Sequence, residues 1–332
     1  MNKKQILFSA LFLTFACASA GAAPPEPSAL GAFCPPSEGK SFHSGWISLG
    51  LKAADLKEKQ ASAGHITDVG EAQVLLHFPA GWKPQDRRAA LCIFPGGGYA
   101  IQAIEKEGCR IAGWAAEHGM VGVIVKYRVS GTNNAVGRFP GPLLDARQAL
   151  RTVRENASSL GIDPLRIGVM GFSAGGHLAA NLATSVGDED IREQGGMDPD
   201  AVRPNALMLS YPVITAGKYA HRGSFQCLLG DQAHNQALLD KFSIEKHIDA
   251  KTPPVFVWHT MTDDAVPVEN TLMLIQACRA AGVSIEAHLF PEGSHGLSLA
   301  NAETAGNGFY AHIVECVQCW PDLAEAWLRR LF

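Results

Sequence analysis

The residues able to do chemistry in this 332-residue chain are a serine set among glycines, a pair of aspartates and a histidine in a Pro/Gly loop. Gly171-Phe172-Ser173-Ala174-Gly175 fits G-x-S-x-G; it follows an apolar run and opens a helix-like one. A serine on a sharp strand-to-helix corner has its hydroxyl pushed out toward substrate. Glycines on either side keep side chains from colliding with the neighbouring strand and helix. The amide of Ala174 would lie at the helix N-terminus, where N–H groups are unpaired and the dipole favours negative charge.

A serine hydroxyl is a poor nucleophile at neutral pH and needs a base and an orienting acid. "PVFVWHTMTDDAVPVENT" supplies the acid, with Asp263 and Asp264 just after a strand-like run. Asp263 is expected to orient the base, whereas Asp264, one step nearer the coming helix, suits a capping role. "SIEAHLFPEGSHGLSL" supplies the base, His295, in the loop after the last strand. The competing histidines fit less well: His288 lies within a strand run, His312 precedes the last helix, and His259 comes before the acid. A charge trap for an oxyanion is also available, because "CIFPGGGYA" ends an early strand on Gly96, Gly97 and Gly98, whose amides could converge with that of Ala174. Neither a P-loop nor a dinucleotide-binding pattern is present, so phosphate cradling is not expected.

Positioning these groups requires a particular scaffold. Short apolar runs occur at 72–79, 89–95, 121–129, 166–172, 206–213, 254–260 and 284–290, and most are nearly continuous, as in strands buried on both faces. Helix-like segments separate several of them, at 107–119, 142–161, 174–187 and 268–282, each ending on glycine, and another closes the chain at 321–332. The alternation predicts an α/β fold with a mainly parallel central sheet flanked by helices on both faces. Reactive loops in such sheets gather beyond the carboxyl ends of the strands.

The N-terminus reads separately. "MNKK", an apolar run and "ACASAGAA" form a secretory signal over residues 1–22, so the protein is expected to be exported, periplasmic or secreted. Cys17 offers a lipoprotein alternative, against which Phe15 is bulky where a small residue is wanted. Residues 23–70 read as a lead-in segment and 71–332 as the catalytic domain. The net charge of −4 and the absence of a basic patch argue against nucleic acid as a partner, and the apolar run is too short for stable membrane insertion. Seven cysteines follow Cys17, an odd number; Cys316 and Cys319 are expected as a local disulfide or as two helical thiols.

The chain resembles α/β-hydrolases, specifically an esterase branch that includes bacterial acetyl-esterase and acetyl-xylan-esterase-like proteins. The resemblance rests on "PGGGY", on "GFSAGGHLA", on Glu107-Gly108, on Tyr127-Arg128 and on "LLDARQALRTVREN" and "LGIDPLRIGVMGFSAGGHLA". It implies Ser173 as nucleophile, Asp263 as acid, His295 as base, and Gly96, Gly97 and Ala174 as oxyanion donors. It implies hydrolysis of short-chain, chiefly acetyl, esters of small-molecule or oligosaccharide substrates through an acyl-enzyme, with no metal or organic cofactor. A prolyl-oligopeptidase-like peptidase, a general short-chain carboxylesterase and a non-catalytic binding protein are the alternatives. Glu107, Arg128 and Asp145 are expected to be structural. Tyr99, flanking the glycine loop, is the best of several aromatic candidates for a sugar-stacking platform, the others being Trp46, Trp82, Trp114, Tyr127 and Tyr211. Short acyl groups are favoured because the segment between Tyr211 and Pro253 is mixed, interleaving His221, Arg222, Asp231, His234, Lys241 and Lys246 with apolar residues, and offers no continuous wall for a long chain.

Overall fold

The computed structural model describes residues 42–52, 56, 58–62, 64–131, 135–184, 202–305 and 312–332. The signal read at 1–22, Cys17 and Cys34 lie outside them.

Every apolar run singled out above becomes a strand of one sheet: β5 (Glu71–Phe78), β6 (Arg88–Phe94), β7 (Val121–Lys126), β8 (Ile162–Phe172), β9 (Ala206–Ser210), β10 (Val255–Thr260) and β11 (Ile285–Phe290). The order is β5-β7-β6-β8-β9-β10-β11, with β1 (Phe42–His43) and β2 (Ile47–Lys52) both on the outer edge of β5. All pairs from β7 to β11 are parallel, and β5 is antiparallel to its neighbours. Strands β7, β9 and β10 are buried along their whole length, which explains their unbroken apolar sequence. A separate hairpin pairs β3 (Lys59–Ser62) with β4 (His65–Thr67). Residues 42–52 therefore add strands to the main sheet from within the segment read as a lead-in. Their short, partly exposed antiparallel pairing needs no apolar run, so none announced them.

The helices are α1 (Arg110–Glu117), α2 (Gly141–Glu155), α3 (Ser173–Thr184), α4 (Arg222–Leu229), α5 (Gln236–Lys241), α6 (Glu269–Ala281) and α7 (Trp320–Leu331). From β6 the chain runs through α1 to β7, then returns past β6 through α2 to β8. Right-handed crossovers in opposite directions put α1 on one face and α2 and α3 on the other. Trp114 of α1 meets Trp320 of α7 with ring centroids 6.0 Å apart, which joins the first and last helices on one face. Helix α2 stops at Glu155 instead of running to Gly161, and the side chain of Asn156 turns back to the Thr152 carbonyl at 2.8 Å.

The reversal of direction puts the loops after β6 and β8 side by side at the switch point of the sheet, where open α/β sheets form their crevices. Register aligns the strand ends there: Phe94 pairs with Gly171, Phe172 with Ser210, Trp258 with Ser210, and Thr260 with Phe290. Each of these ends leads directly into a loop carrying candidate residues.

Cys109 is disulfide-bonded, whereas Cys92, Cys227, Cys278, Cys316 and Cys319 are free. The local Cys316–Cys319 disulfide is not formed; the two are exposed thiols at the start of α7. Cys92 is a small buried residue of β6, and burial pushes its thiol up to about 12. Among the described residues, no helix is long and apolar enough to cross a membrane.

Candidate active site

Ser173 sits at the junction of β8 and α3 with φ 52°, a left-handed conformation that costs a non-glycine residue of order 1–3 kcal/mol and persists only under external constraint. The constraint is visible in its flanking glycines. A Cβ on Gly171 would lie 2.2 Å from the Gly175 carbonyl oxygen, and one on Gly175 would lie 2.1 Å from the Phe94 carbonyl oxygen. The corner can therefore pack against β6 and its own helix only with glycine at both positions.

Two loops from the far side of the sheet bring up the partners. His295 Nε2 lies 2.8 Å from Ser173 Oγ, and His295 Nδ1 lies 2.7 Å from Asp263 Oδ2. The other carboxylate oxygen of Asp263 accepts the backbone N–H groups of Ala265 and Val266 at 3.0 and 2.8 Å, so the loop after β10 fixes the acid. Burial works against the Asp263 charge, but hydrogen bonds from His259 and His295 outweigh it and hold the carboxyl well below the usual carboxylate range. An ionised, acceptor-only Asp263 requires a proton on Nδ1 of His295, which leaves Nε2 to accept from the serine. Asp264 does not cap the following helix; its Oδ1 accepts the backbone N–H of His295 at 3.2 Å.

Sequence reasoning weighed His259 as a base, and the structure gives it another place. It is fully buried behind the acid, with Nε2 3.1 Å from Asp263 Oδ2 and 3.0 Å from the Val266 carbonyl, and Nδ1 2.8 Å from Thr271 Oγ1. The carbonyl can only accept, so Nε2 carries the proton and Nδ1 accepts from the threonine hydroxyl. His259 thus steadies the acid. Its position at a strand exit, four residues before the acid, was the available signal.

The glycine loop corrects one expectation. The Gly96 N–H is donated to Glu107 Oε2 at 2.7 Å and is not free to serve an oxyanion. Gly97, with φ 131°, has no partner for its amide among the described residues, and a Cβ there would fall 2.3 Å from the Ile101 carbonyl oxygen. Ala174, in the first turn of α3, has no intrahelical acceptor for its N–H. The amides of Gly97 and Ala174 are thus free to donate among the described residues.

Glu107 is structural, as expected, but in a specific way. It lies on a π-helical turn, Ile104–Cys109, and is 3% exposed. Its Oε1 accepts the Tyr211 hydroxyl at 2.8 Å, and that hydroxyl accepts the Ser298 N–H at 2.9 Å. The Tyr211 ring stands edge-to-face against His295, with centroids 5.0 Å apart. The neighbouring Lys106 donates to the Gly296 carbonyl at 2.6 Å. One turn therefore ties the glycine loop, the segment after β9 and the histidine loop together. Arg128 and Asp145 form a buried ion pair, Nη2 to Oδ1 2.7 Å, that fastens the end of β7 to α2.

Tyr99 is not a stacking platform. It is 1% exposed with φ 61°, its ring turned inward, and its hydroxyl lies 2.8 Å from His177 Nδ1. His177 Nε2 donates to the Phe242 carbonyl at 2.8 Å, which leaves Nδ1 to accept from Tyr99; burial lowers this histidine to about 4 and keeps it neutral. Tyr127, Tyr211 and Trp114 are also buried, which removes them as sugar platforms.

Residues 79–277 match the BD-FAE family. An acetyl ester-xyloside bifunctional hydrolase from Caldicellulosiruptor lactoaceticus is similar in structure, with a TM-score of 0.67 and 34% identity over 86% of this chain and 96% of that one. Among curated proteins, endo-1,4-beta-xylanase B of Butyrivibrio fibrisolvens is 37% identical over 65% of this chain, and an acetylxylan esterase of Xylanibacter ruminicola is 30% identical over 77% of it. The chain spans only 34% and 50% of the lengths of those two relatives.

Proposed function

This chain belongs to the BD-FAE family and has the α/β-hydrolase fold, and from that premise we propose that it is a serine esterase that removes short acyl groups, chiefly acetyl, from carbohydrate esters such as xylan fragments. The observation that carries the reading is the unbroken chain Ser173 Oγ–His295 Nε2 and His295 Nδ1–Asp263 Oδ2, with both contacts below 3 Å.

Ser173 Oγ attacks the ester carbonyl as His295 Nε2 takes its proton. The carbonyl oxygen becomes an oxyanion, held by the amides of Gly97 and Ala174 at the positive end of α3. Asp263 stabilises the imidazolium and holds its orientation. His295 then returns the proton to the alcohol oxygen, the C–O bond breaks and the acyl group stays on Ser173. A water molecule gives a proton to His295 and attacks the acyl-enzyme, releasing the acid and restoring the serine.

The carbohydrate part draws on the family and on relatives whose names concern xylan and acetyl esters. A cleft of about 770 Å³ beside the histidine loop mixes polar Thr262, Asp264, Glu292, Ser294 and Glu315 with apolar Ile313 and Val314. Export by the segment at 1–22 is part of the same proposal. The test is a series of p-nitrophenyl esters from acetate to octanoate alongside acetylated xylan. Highest kcat/KM on acetate, with release of acetate from the polysaccharide, is expected. Rates that rise toward octanoate, with no release from acetylated sugar, contradict it and indicate a general carboxylesterase.

A further inference from the structure

One histidine near the site takes no part in the machinery described so far. His221 lies in the segment that follows β9, half-buried, immediately before α4. Its Nδ1 accepts the backbone N–H of Ser224 at 3.3 Å and lies 2.8 Å from Ser224 Oγ, so the imidazole serves as the N-cap of α4. A backbone N–H can only donate. Nδ1 must therefore be unprotonated, and the proton of the neutral ring sits on Nε2. The cap thus fixes a tautomer and holds the ring in one orientation.

The Cε1 corner of the ring, between the two nitrogens, faces the glycine loop. A Cβ built on Gly98 would lie 3.9 Å from His221 Cε1, the atom bonded to both ring nitrogens. Gly98 directly follows Gly97, and the absence of a side chain there leaves the approach to the imidazole open. Burial and the nearby His295 lower the pKa of His221, with Asp263 opposing, so the ring stays neutral and feels the base first among its charged neighbours. The base side of a serine esterase site is the side from which the alcohol leaves, because His295 protonates the departing oxygen. No described group accepts from His221 Nε2.

We propose that His221 recognises the alcohol half of the substrate, its Nε2–H donating a hydrogen bond to a hydroxyl or ether oxygen that a sugar carries and a simple alkyl alcohol lacks. This rests on the esterase reading and gives its polar-alcohol preference a named donor. Nε2–H is a single donor on a ring fixed by Ser224, so it selects for an acceptor at one position of the polyol rather than for general polarity.

The experiment compares kcat/KM for ethyl acetate and for a mono-acetylated methyl xyloside, followed by acid release at constant pH. Both leaving groups are aliphatic alcohols and make the same demand on His295. The variant is His221→Asn, whose side chain keeps an N-cap acceptor for Ser224 but is too short to reach the substrate. The ratio of sugar ester to ethyl acetate should fall by about tenfold, the size of one hydrogen bond lost to an unpaired acceptor. His221→Gln, with a longer side chain that can donate, should recover part of it. A ratio unchanged in folded His221→Asn overturns the proposal, as do equal losses on both substrates, which would mean that His221 acts on the acyl side or on the fold. Wild-type protein inactive on both esters removes the esterase reading itself, whereas wild-type activity on both with an unmoved ratio removes only the role of His221.

Discussion

The active site and the outer edge of the sheet treat imidazole in opposite ways. At the carboxyl ends of β8, β10 and β11, His295 and His259 have both ring nitrogens within hydrogen-bond reach of a serine, a carboxylate, a carbonyl or a threonine. At the outer edge of the sheet, His77 of β5 is 4% exposed, and neither nitrogen has a partner among the described residues. Its ring stacks on His43 of β1 at 5.5 Å, and burial, followed by the His43 charge, lowers it to about 4. An unsatisfied buried polar group costs roughly 1–3 kcal/mol. The satisfied network fixes proton positions, which chemistry needs; the unsatisfied ring gains only packing.

Breaking the satisfied network should have the larger consequences. Asp263→Asn should lower kcat on p-nitrophenyl acetate by roughly 10⁴, because the amide can favour the wrong tautomer of His295 while the fold stands. Asp264→Asn, at a side chain that accepts the His295 backbone N–H, should cost far less. The reverse ranking on folded proteins would move the acid. Glu107→Gln comes next. Gly96 N–H and Tyr211 O–H both donate to that side chain, and an amide can accept from one while meeting the other with its own N–H groups. A displacement near 1 Å in the loops it ties would lower kcat by up to about 100-fold. Steady-state kinetics with an unchanged kcat would show that the glycine loop holds its place without Glu107.

The edge should respond in stability and not in turnover. The folded pKa of His77 lies below its ordinary 6.5, so as pH falls from 6.5 toward 4 the unfolded chain binds a proton that the folded chain refuses. Stability is lost over that window as pH drops. His77→Leu removes both the unpaired nitrogens and this proton uptake, and its gain over wild type should be about 2 kcal/mol larger at pH 5 than at pH 7. Urea unfolding at pH 5 and pH 7 reads the effect. A gain no greater at pH 5 than at pH 7 would mean that the ring is protonated when folded. His177, also lowered to about 4, keeps its own contribution in the variant.

The same contrast explains what the sequence disclosed. Ser173 and Asp263 were legible because each follows a strand whose end is buried and apolar, His295 because it stands in a Pro/Gly loop after the last, half-exposed strand, and their order along the chain matches the order of the strand ends. Strands β1 and β2 at the sheet's edge and the separate β3–β4 hairpin were not legible, since short antiparallel pairing leaves a polar, irregular sequence. Tyr99 was misplaced because a positive φ turns its side chain inward, and sequence carries no direct record of φ at a tyrosine. The occupied amide of Gly96 was hidden for another reason. Three consecutive glycines look equivalent until Glu107 is folded against the first of them. His259 behind the acid and His221 beside Gly98 depend on contacts between separate loops, which spacing along one segment does not reveal.

The central claim is that Ser173 alone is the nucleophile. Incubation with a phosphonate ester that traps active serines, followed by peptide mapping, tests it most directly. The account predicts one adduct per chain, on Ser173, formed in step with loss of ester hydrolysis and absent from Ser173→Ala, whose kcat should be lower by about 10⁴ or more. A second adduct that tracks inactivation, or inactivation with Ser173 unmodified, would contradict it.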